Sequence, residues 1–524
     1  ELLFGDALPI EHQALHRTYE ALSTGMASLG WSVRNYIPVG SLLVGMAYLV
    51  RRVMENSSQV GVLTMARQGV DLAQSLRTPV QSINGAAAAQ TLQRRPSVRL
   101  SNAADFCNVA PARLFLRPHR DAFDRALAAE DAAPPQRRPR PLRSGVVHTV
   151  LSPSDANSIG EIQFARAADV PSAVELLRNG FPAWSRRDVA YRSKALVIAA
   201  ELMRARRLGL AALVAREAGK AREEALADVD EAIDFLQFYA REAWRREREG
   251  GHRPARGVVA IVAPWNFPLA IPCGMTSAAL AAGNSVVLKS AEQTPLIAEA
   301  LVDLLHEAGV PRDALLHLPG DGLEVGAPLV SHPHVAGVVF TGSKAVGTLL
   351  HDKLALLAGV DDRAHGRLVI TEMGGKNAVI VTANADLDEA ISGCLHAAYG
   401  HAGQKCSAAS RVLVDQRVID VFTTRLRRAI MDLPVGPAAA PGVRVNPVAT
   451  AQDATRLRAS AREATAECER TGGEVIADRT AEFSDLPGNL VGPAAFLLPA
   501  EASAAPDSVA QQELFGPILH VIPY

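Results

Sequence analysis

The sequence predicts an α/β protein built on a doubly wound parallel sheet. Three observations lead there. From residue 258 onward, short β-rich runs alternate with helical patterns, as strand–helix–strand units require. A helical block precedes them, from Pro171 to about Glu249, with apolar residues at helical intervals: Leu196, Ala200 and Met203, then Leu210, Leu213 and Val214. The chain has 524 residues, 48% of them hydrophobic, which suits a soluble globular protein of two or three domains.

Taken in order, residues 1–60 hold a helical run, one strand-like piece (Ser32 to Val39) and a second helix through Tyr48 and Glu55. The apolar stretch Val39 to Val50 is too short to span a bilayer and runs into Arg51-Arg52, so it reads as a buried amphipathic helix. Residues 61–150 lack periodicity. The stretch Ala126 to Arg143, crowded with Ala, Pro and Arg, reads as a linker. After the helical block come a strand at Val258–Ala263, a helix at Met275–Ala282 and a strand at Ser285–Leu288. A helix at Leu296–Ala308 and strands at Leu315–Leu318 and Val335–Thr341 follow, then a helix from Lys344 to Leu350. A second set comprises Leu368–Thr371, Ala378–Val381, the helix Leu387–Tyr399 and Arg411–Val414. No internal repeat is visible.

A net charge of -1 gives no reason to expect nucleic acid or an anionic membrane as partner. The five cysteines (Cys107, Cys273, Cys394, Cys406, Cys468) are scattered, with no Cys-x-x-Cys pair and no histidines at metal spacing. This predicts no metal site and a reduced, cytoplasmic location. No signal peptide opens the chain, and Glu-Leu-Leu-Phe is an unusual natural start, so a piece cut at both ends is expected.

Five stretches carry chemistry. Cys406, in Gly403-Gln-Lys-Cys-Ser407, has polar, glycine-containing flanks unlike those of a core cysteine; a thiolate there could attack an electrophilic carbon. Glu372, in Thr371-Glu-Met-Gly-Gly-Lys-Asn377, stands past an apolar strand and before two glycines. It is either a solvated charge or a general base held over a cleft. Asn266, in Pro264-Trp-Asn-Phe-Pro268, is a turn former or an amide donor aimed at a developing oxyanion. Phe340-Thr-Gly-Ser343 opens a helix and could cradle phosphate, although no Gly-x-Gly-x-x-Gly fingerprint occurs. Lys289 and Glu292 sit just past another strand, as ribose ligands or surface charges.

In this order the stretches resemble the aldehyde dehydrogenase superfamily, over roughly 151–524. Glu372 and Cys406 lie 34 positions apart (406 − 372), as in that family, and Gln512-Glu-Leu-Phe-Gly-Pro517 is similar to its cofactor-contacting segment. The resemblance implies a catalytic trio. Cys406 would be the nucleophile, Asn266 and the Cys406 N–H the oxyanion donors, and Glu372 the base that activates the hydrolytic water. It implies NAD as cofactor, with Lys289 and Glu292 at the adenine-side ribose, Gly342 and Ser343 at the pyrophosphate, and Trp265, Glu513 and Phe515 at the nicotinamide side. Met373 stands where the family has Thr or Leu, with the Glu372 geometry expected to stay intact.

Arg216-Glu-Ala-Gly-Lys220 and Cys406-Ser407 are similar to motifs of the L-glutamate γ-semialdehyde dehydrogenases. By that resemblance Ser407 helps bind the substrate carboxylate, Glu217 lies near its amino group and Phe267 lines the aldehyde tunnel. Tyr36-Ile-Pro-Val-Gly40 and Ala47 to Asn56 resemble the end of the proline dehydrogenase barrel in the fused enzymes called proline utilization A. Paired arginines suit a carboxylate. The resemblance thus implies that Arg51, Arg52 and Glu55 bind proline while Tyr36 and Tyr48 shape its pocket. The expected layout is a TIM-barrel remnant at 1–60, a linker at 61–150, an NAD-binding domain at 151–371 and a truncated catalytic domain at 372–524. With one strand of the barrel, this chain is expected to bind no FAD, although the parent would be a flavin-dependent proline dehydrogenase. The resemblance also implies a small-molecule substrate and, for the full-length enzyme, a homo-oligomer peripherally associated with the membrane. The competing readings are another semialdehyde dehydrogenase and an inactive dinucleotide-binding fragment.

Overall fold

The computed structural model describes residues 11–15, 20–30, 32–36, 106–132, 140, 142–251, 253–354 and 367–524. Two compact units divide the chain, Glu1–Ser97 and Val98–Tyr524. In the first, strand β1 (Glu11–Leu15), helix α1 (Glu20–Ser28) and strand β2 (Ser32–Tyr36) form a β–α–β unit. β1 and β2 are parallel, with Glu11 opposite Ser32 and Leu15 opposite Tyr36. The sequence reading expected one strand here. It missed β1 because Glu-His-Gln shows no apolar alternation, and parallel pairing to β2 is what makes it a strand. Tyr48, Arg51, Arg52 and Glu55 lie outside the described residues, as does the Tyr36 side chain.

Helix α2 (Arg117–Asp131) runs through a stretch read as irregular and into the one read as linker. It buries only Phe123 and Leu127, a stripe too narrow to show as periodicity. Its helicity is stabilised by tertiary contacts instead. Arg222 pairs with Asp124 at 2.7 Å and lies over the Phe123 ring, and Arg216 pairs with Asp131 at 3.1 Å. An antiparallel hairpin follows, β3 (Val147–Leu151) with β4 (Ser158–Gln163).

The predicted helical block is four helices, α3 (Val170–Ser185), α4 (Val189–Ala205), α5 (Arg207–Glu217) and α6 (Arg222–Arg248). The predicted alternation then appears as β5 (Val258–Val262), α7 (Ala270–Ala281), β6 (Ser285–Lys289), α8 (Pro295–Glu307) and β7 (Leu315–His317). A π-turn (Gly322–Gly326) and α9 (Ala327–Ser331) lead to β8 (Val335–Gly342), α10 (Lys344–Leu354) and β9 (Leu368–Met373). These strands form one all-parallel sheet in the order β7-β6-β5-β8-β9. All five residues of β6 are buried, as expected for a strand covered by helices on both faces. The order reverses at β5, so a crevice opens beyond the carboxyl ends of β5 and β8, where such sheets take ligands.

The second sheet has the order β10-β11-β14-β13-β12. It comprises β10 (Asn377–Val381), β11 (Ala409–Val414), β12 (Glu474–Asp478), β13 (Ala494–Leu497) and β14 (Ile518–Pro523). β12 is antiparallel to β13 and the other pairs are parallel. Helices α11 (Leu387–Tyr399), α12 (Ile419–Met431) and α13 (Ala451–Thr471) cover it. The α11 start is legible locally: Asp386 caps it by accepting from the Asp388 and Glu389 N–H groups. Separate hydrophobic clusters underlie the two sheets, one around Val259, Ile261 and Leu288, the other around Val412, Phe496 and Leu519. Among the described residues, no helix is long and apolar enough to cross a membrane.

Candidate active site

The crevice beyond β5 and β8 is a cleft of about 770 Å³. Its wall brings together residues far apart in sequence: Trp265 and Asn266 after β5, Lys289 at the end of β6 with Glu292 beyond it, and Gly342 at the end of β8 with Ser343 beyond it. The second sheet contributes Cys406, Glu513 and Phe515 to the same wall. Four sequence-predicted site residues of this unit, Glu372, Ser407, Phe267 and Glu217, are not among those lining residues, whereas Met373, which departs from the family pattern, does line the cleft.

Cys406 lies in the loop before β11 and is exposed. The chain reaches it through three consecutive left-handed residues, His401 (φ 51), Ala402 (φ 52) and Gly403 (φ 70). For His401 and Ala402 this costs about 1–2 kcal/mol each. Gly403 has no alternative, because a Cβ there would fall 2.3 Å from the Gly516 carbonyl oxygen. Gln404 is buried and fixed by its side chain, donating to His401 O at 3.2 Å and accepting from Ala449 N at 2.9 Å. Asn377 Nδ2 donates to the Cys406 carbonyl at 2.7 Å. On the other side Lys405 pairs with Glu224 of α6 at 2.6 Å, a contact between distant segments with no sequence signal of its own.

Asn266 is buried, and its Nδ2 donates to the Gln404 carbonyl at 2.9 Å. An amide nitrogen carries two protons, so one donor stays available near Cys406. Burial, with the cations Lys220 and Lys405 nearby, holds the His401 imidazole well below its usual pKa, and it sits edge-on to Trp265 at 6.4 Å. Trp265 also meets Phe515 edge-on at 5.8 Å.

Glu372 is exposed at the end of β9, opposite Thr341 of β8. Neighbouring side chains of a strand point to opposite faces. Met373 takes the cleft face, filling the space left by the missing Cβ of Gly347, so Glu372 faces the other way. Glu513 carries its carboxylate directly over Gly374, where a Cβ would fall 1.6 Å from Oε1, and accepts from Gly375 N at 3.1 Å. Lys376 donates to the Gln512 carbonyl at 2.8 Å; burial, with Arg411 nearby, lowers its pKa to about 8.

Glu217 is not part of the cleft wall. Its carboxyl is fully buried and accepts from Leu296 N at 2.6 Å and Ile297 N at 2.9 Å. These are free N–H groups of the first turn of α8, so the residue caps a helix instead of meeting a substrate amine. Burial pushes its pKa up to about 8, outweighing the two N–H groups. Phe267 lies against Lys220, with Nζ 3.8 Å from the ring centre. Ser407 is exposed beside Cys406. Among the described residues, no group of side chains could hold a metal ion.

The donor set of the cleft fits a dinucleotide. Val330, Leu349 and Leu354 make an apolar end suited to a base. Lys289 is buried and pairs with Glu292 at 2.6 Å, presenting a donor and an acceptor to sugar hydroxyls. The start of α10, beside Gly342 and Ser343, offers free N–H groups to phosphate.

The aldehyde dehydrogenase family model matches residues 143–524, and the proline dehydrogenase model matches residues 4–65. The bifunctional protein PutA of Klebsiella aerogenes is 33% identical over 98% of this chain and 40% of its own length. The chain thus spans about 40% of the curated relatives it first matches. Among solved structures, proline utilization A from Bdellovibrio bacteriovorus, inactivated by N-propargylglycine, matches with a TM-score of 0.77 at 33% identity. That match covers 98% of this chain and 53% of the other. The 1-pyrroline-5-carboxylate dehydrogenase from Thermus with bound NAD matches with a TM-score of 0.72 at 32% identity, over 80% of this chain and 82% of the other.

Proposed function

This chain belongs to the aldehyde dehydrogenase family, and on that premise we propose that it oxidises L-glutamate γ-semialdehyde, the open form of 1-pyrroline-5-carboxylate, to L-glutamate in proline catabolism. The observation that carries the reading is one cleft holding Cys406, Asn266 and a donor set fitted to NAD.

The Cys406 sulfur adds to the aldehyde carbon, forming a C–S bond and placing negative charge on the carbonyl oxygen. The second Asn266 amide proton and the Cys406 backbone N–H meet that charge. NAD held in the cleft would serve as hydride acceptor, so that the same carbon could lose its hydride as the C=O bond reforms and remain on Cys406 as a thioester. Glu372 takes a proton from water, the water oxygen adds to the thioester carbonyl, and the C–S bond breaks to release the carboxylate and return the thiol. For this step the Glu372 carboxylate must turn from the outer face of β9 toward the cleft, one residue from Met373. Ser407, beside the nucleophile, is proposed for the substrate carboxylate and Phe267 for the aldehyde passage.

The first sheet and its helices, 151–371, are proposed as the NAD-binding domain and 372–524 as the catalytic domain. For the whole protein we propose a second, flavin-dependent activity on proline, supported by the match at residues 4–65. By family resemblance we propose for it a homo-oligomeric, cytoplasmic state with peripheral membrane association.

The test compares kcat/KM on L-glutamate γ-semialdehyde and succinate semialdehyde. A site built for the longer, amine-bearing substrate should prefer the first by about 100-fold or more. Equal values would favour another semialdehyde dehydrogenase. Labelling of Cys406 by an aldehyde probe without NADH formation would favour a binding fragment.

A further inference from the structure

Lys220 ends the Arg216-Glu-Ala-Gly-Lys220 motif, and the mechanism above gives it no part. It is 0% exposed. Its Nζ lies 3.0 Å from Asp228 Oδ2, and the carboxylate is equally buried. The same ammonium donates to the Asn266 carbonyl oxygen at 3.0 Å and rests 3.8 Å from the Phe267 ring centre. The other oxygen of Asp228 accepts from Ala270 N at 2.7 Å, at the start of α7. One buried ion pair therefore grips the strap between β5 and α7 at Asn266, Phe267 and Ala270.

Burying two charges is costly, and a well-packed apolar pair of similar volume is often as stable or more so. Stability alone thus gives little reason for an ion pair here, whereas geometry gives one. Asn266 is held from its backbone by Lys220 and from its side chain by the Gln404 carbonyl, two residues before Cys406. These two contacts fix the direction of the second amide proton. A methionine at 220 would fill the space but could not donate, so the strap could slide along the Gln404 contact.

We propose that Lys220 is a positioning residue for aldehyde oxidation: with Asp228 it holds the Asn266 amide at the distance from Cys406 that oxyanion stabilisation needs. This rests on the reading of Asn266 as an oxyanion donor.

The experiment uses the full-length protein carrying Lys220→Met with Asp228→Asn, so that no charge is left unpaired. A second version, Lys220→Gln with Asp228→Asn, has amides that can satisfy each other but reach one bond less far toward Asn266. Whichever version melts with the parent is read, by its NADH burst rate and its Kd for NADH, alone and combined with Asn266→Ala. Loss of alignment at a reacting centre costs up to about 100-fold. The expected result is a burst slowed about 10- to 100-fold, an unchanged Kd, and no further slowing when Asn266 is already alanine. A parent-like burst, or losses that multiply in the combined variant, would overturn the proposal. Asn266→Ala with a parent-like burst would instead overturn the role of Asn266 itself.

Discussion

Glu217→Gln separates two roles for one carboxylate. The sequence placed Glu217 near the substrate amine, whereas in the structure it caps α8 through Leu296 N and Ile297 N. Glutamine keeps the shape but turns one acceptor into a donor facing an N–H group. At low pH it should therefore cost about 1–3 kcal/mol, the penalty for one buried unpaired group. The pH dependence sharpens the test. Burial raises the carboxyl from its ordinary 4.5 to about 8 in the folded protein. Between those values the folded state keeps a proton that the unfolded chain has lost. Stability from this group is complete below the lower value and falls by about 1.4 kcal/mol per pH unit up to the higher one. Glutamine lacks that slope. Denaturant titrations at about pH 6 and about pH 7.5 should show the variant gaining about 2 kcal/mol relative to the parent. The KM for the aldehyde should stay within about twofold. A KM raised tenfold or more with parallel pH curves would refute the capping role and return Glu217 to the substrate.

Cys406→Ala should abolish NADH formation while leaving the Kd for NADH unchanged. Cys273→Ala should be mild, and Cys273, whose thiol burial pushes up, should resist iodoacetamide in the folded protein. Glu372→Gln should leave the NADH burst near parent rate and slow steady turnover about 100-fold or more, measured by stopped flow; parallel loss of both would assign Glu372 elsewhere. Gly374→Ala puts a Cβ where the Glu513 carboxylate lies and should weaken NADH binding about tenfold or more by fluorescence titration, with the melting temperature little changed.

The sequence alone determined what is local. Apolar runs such as Ser-Val-Val-Leu-Lys and the capped helix Leu387–Tyr399 follow from short-range periodicity and from Asp386, and the structure reproduces them. The residue types around Cys406, Asn266, Lys289 and Ser343 were equally legible, because Gly, Pro and polar flanks at strand ends mark loops that face a cleft. Tertiary structure decided what depends on distant partners. Helix α2 forms in a polar, Ala-rich stretch because α5 and α6 cover Phe123 and Leu127. Strand β1 exists through pairing with β2. The side chains of Glu372 and Met373 could not be assigned to faces until β9 was placed against β8 and α10. Glu217 and Lys220 lie three positions apart in one motif, yet one caps α8 and the other grips the Asn266 strap. A motif gives residue identities, but most of the hydrogen-bond partners come from elements folded back from 46 to 80 positions away, and together with Asp228 they set what each charge does.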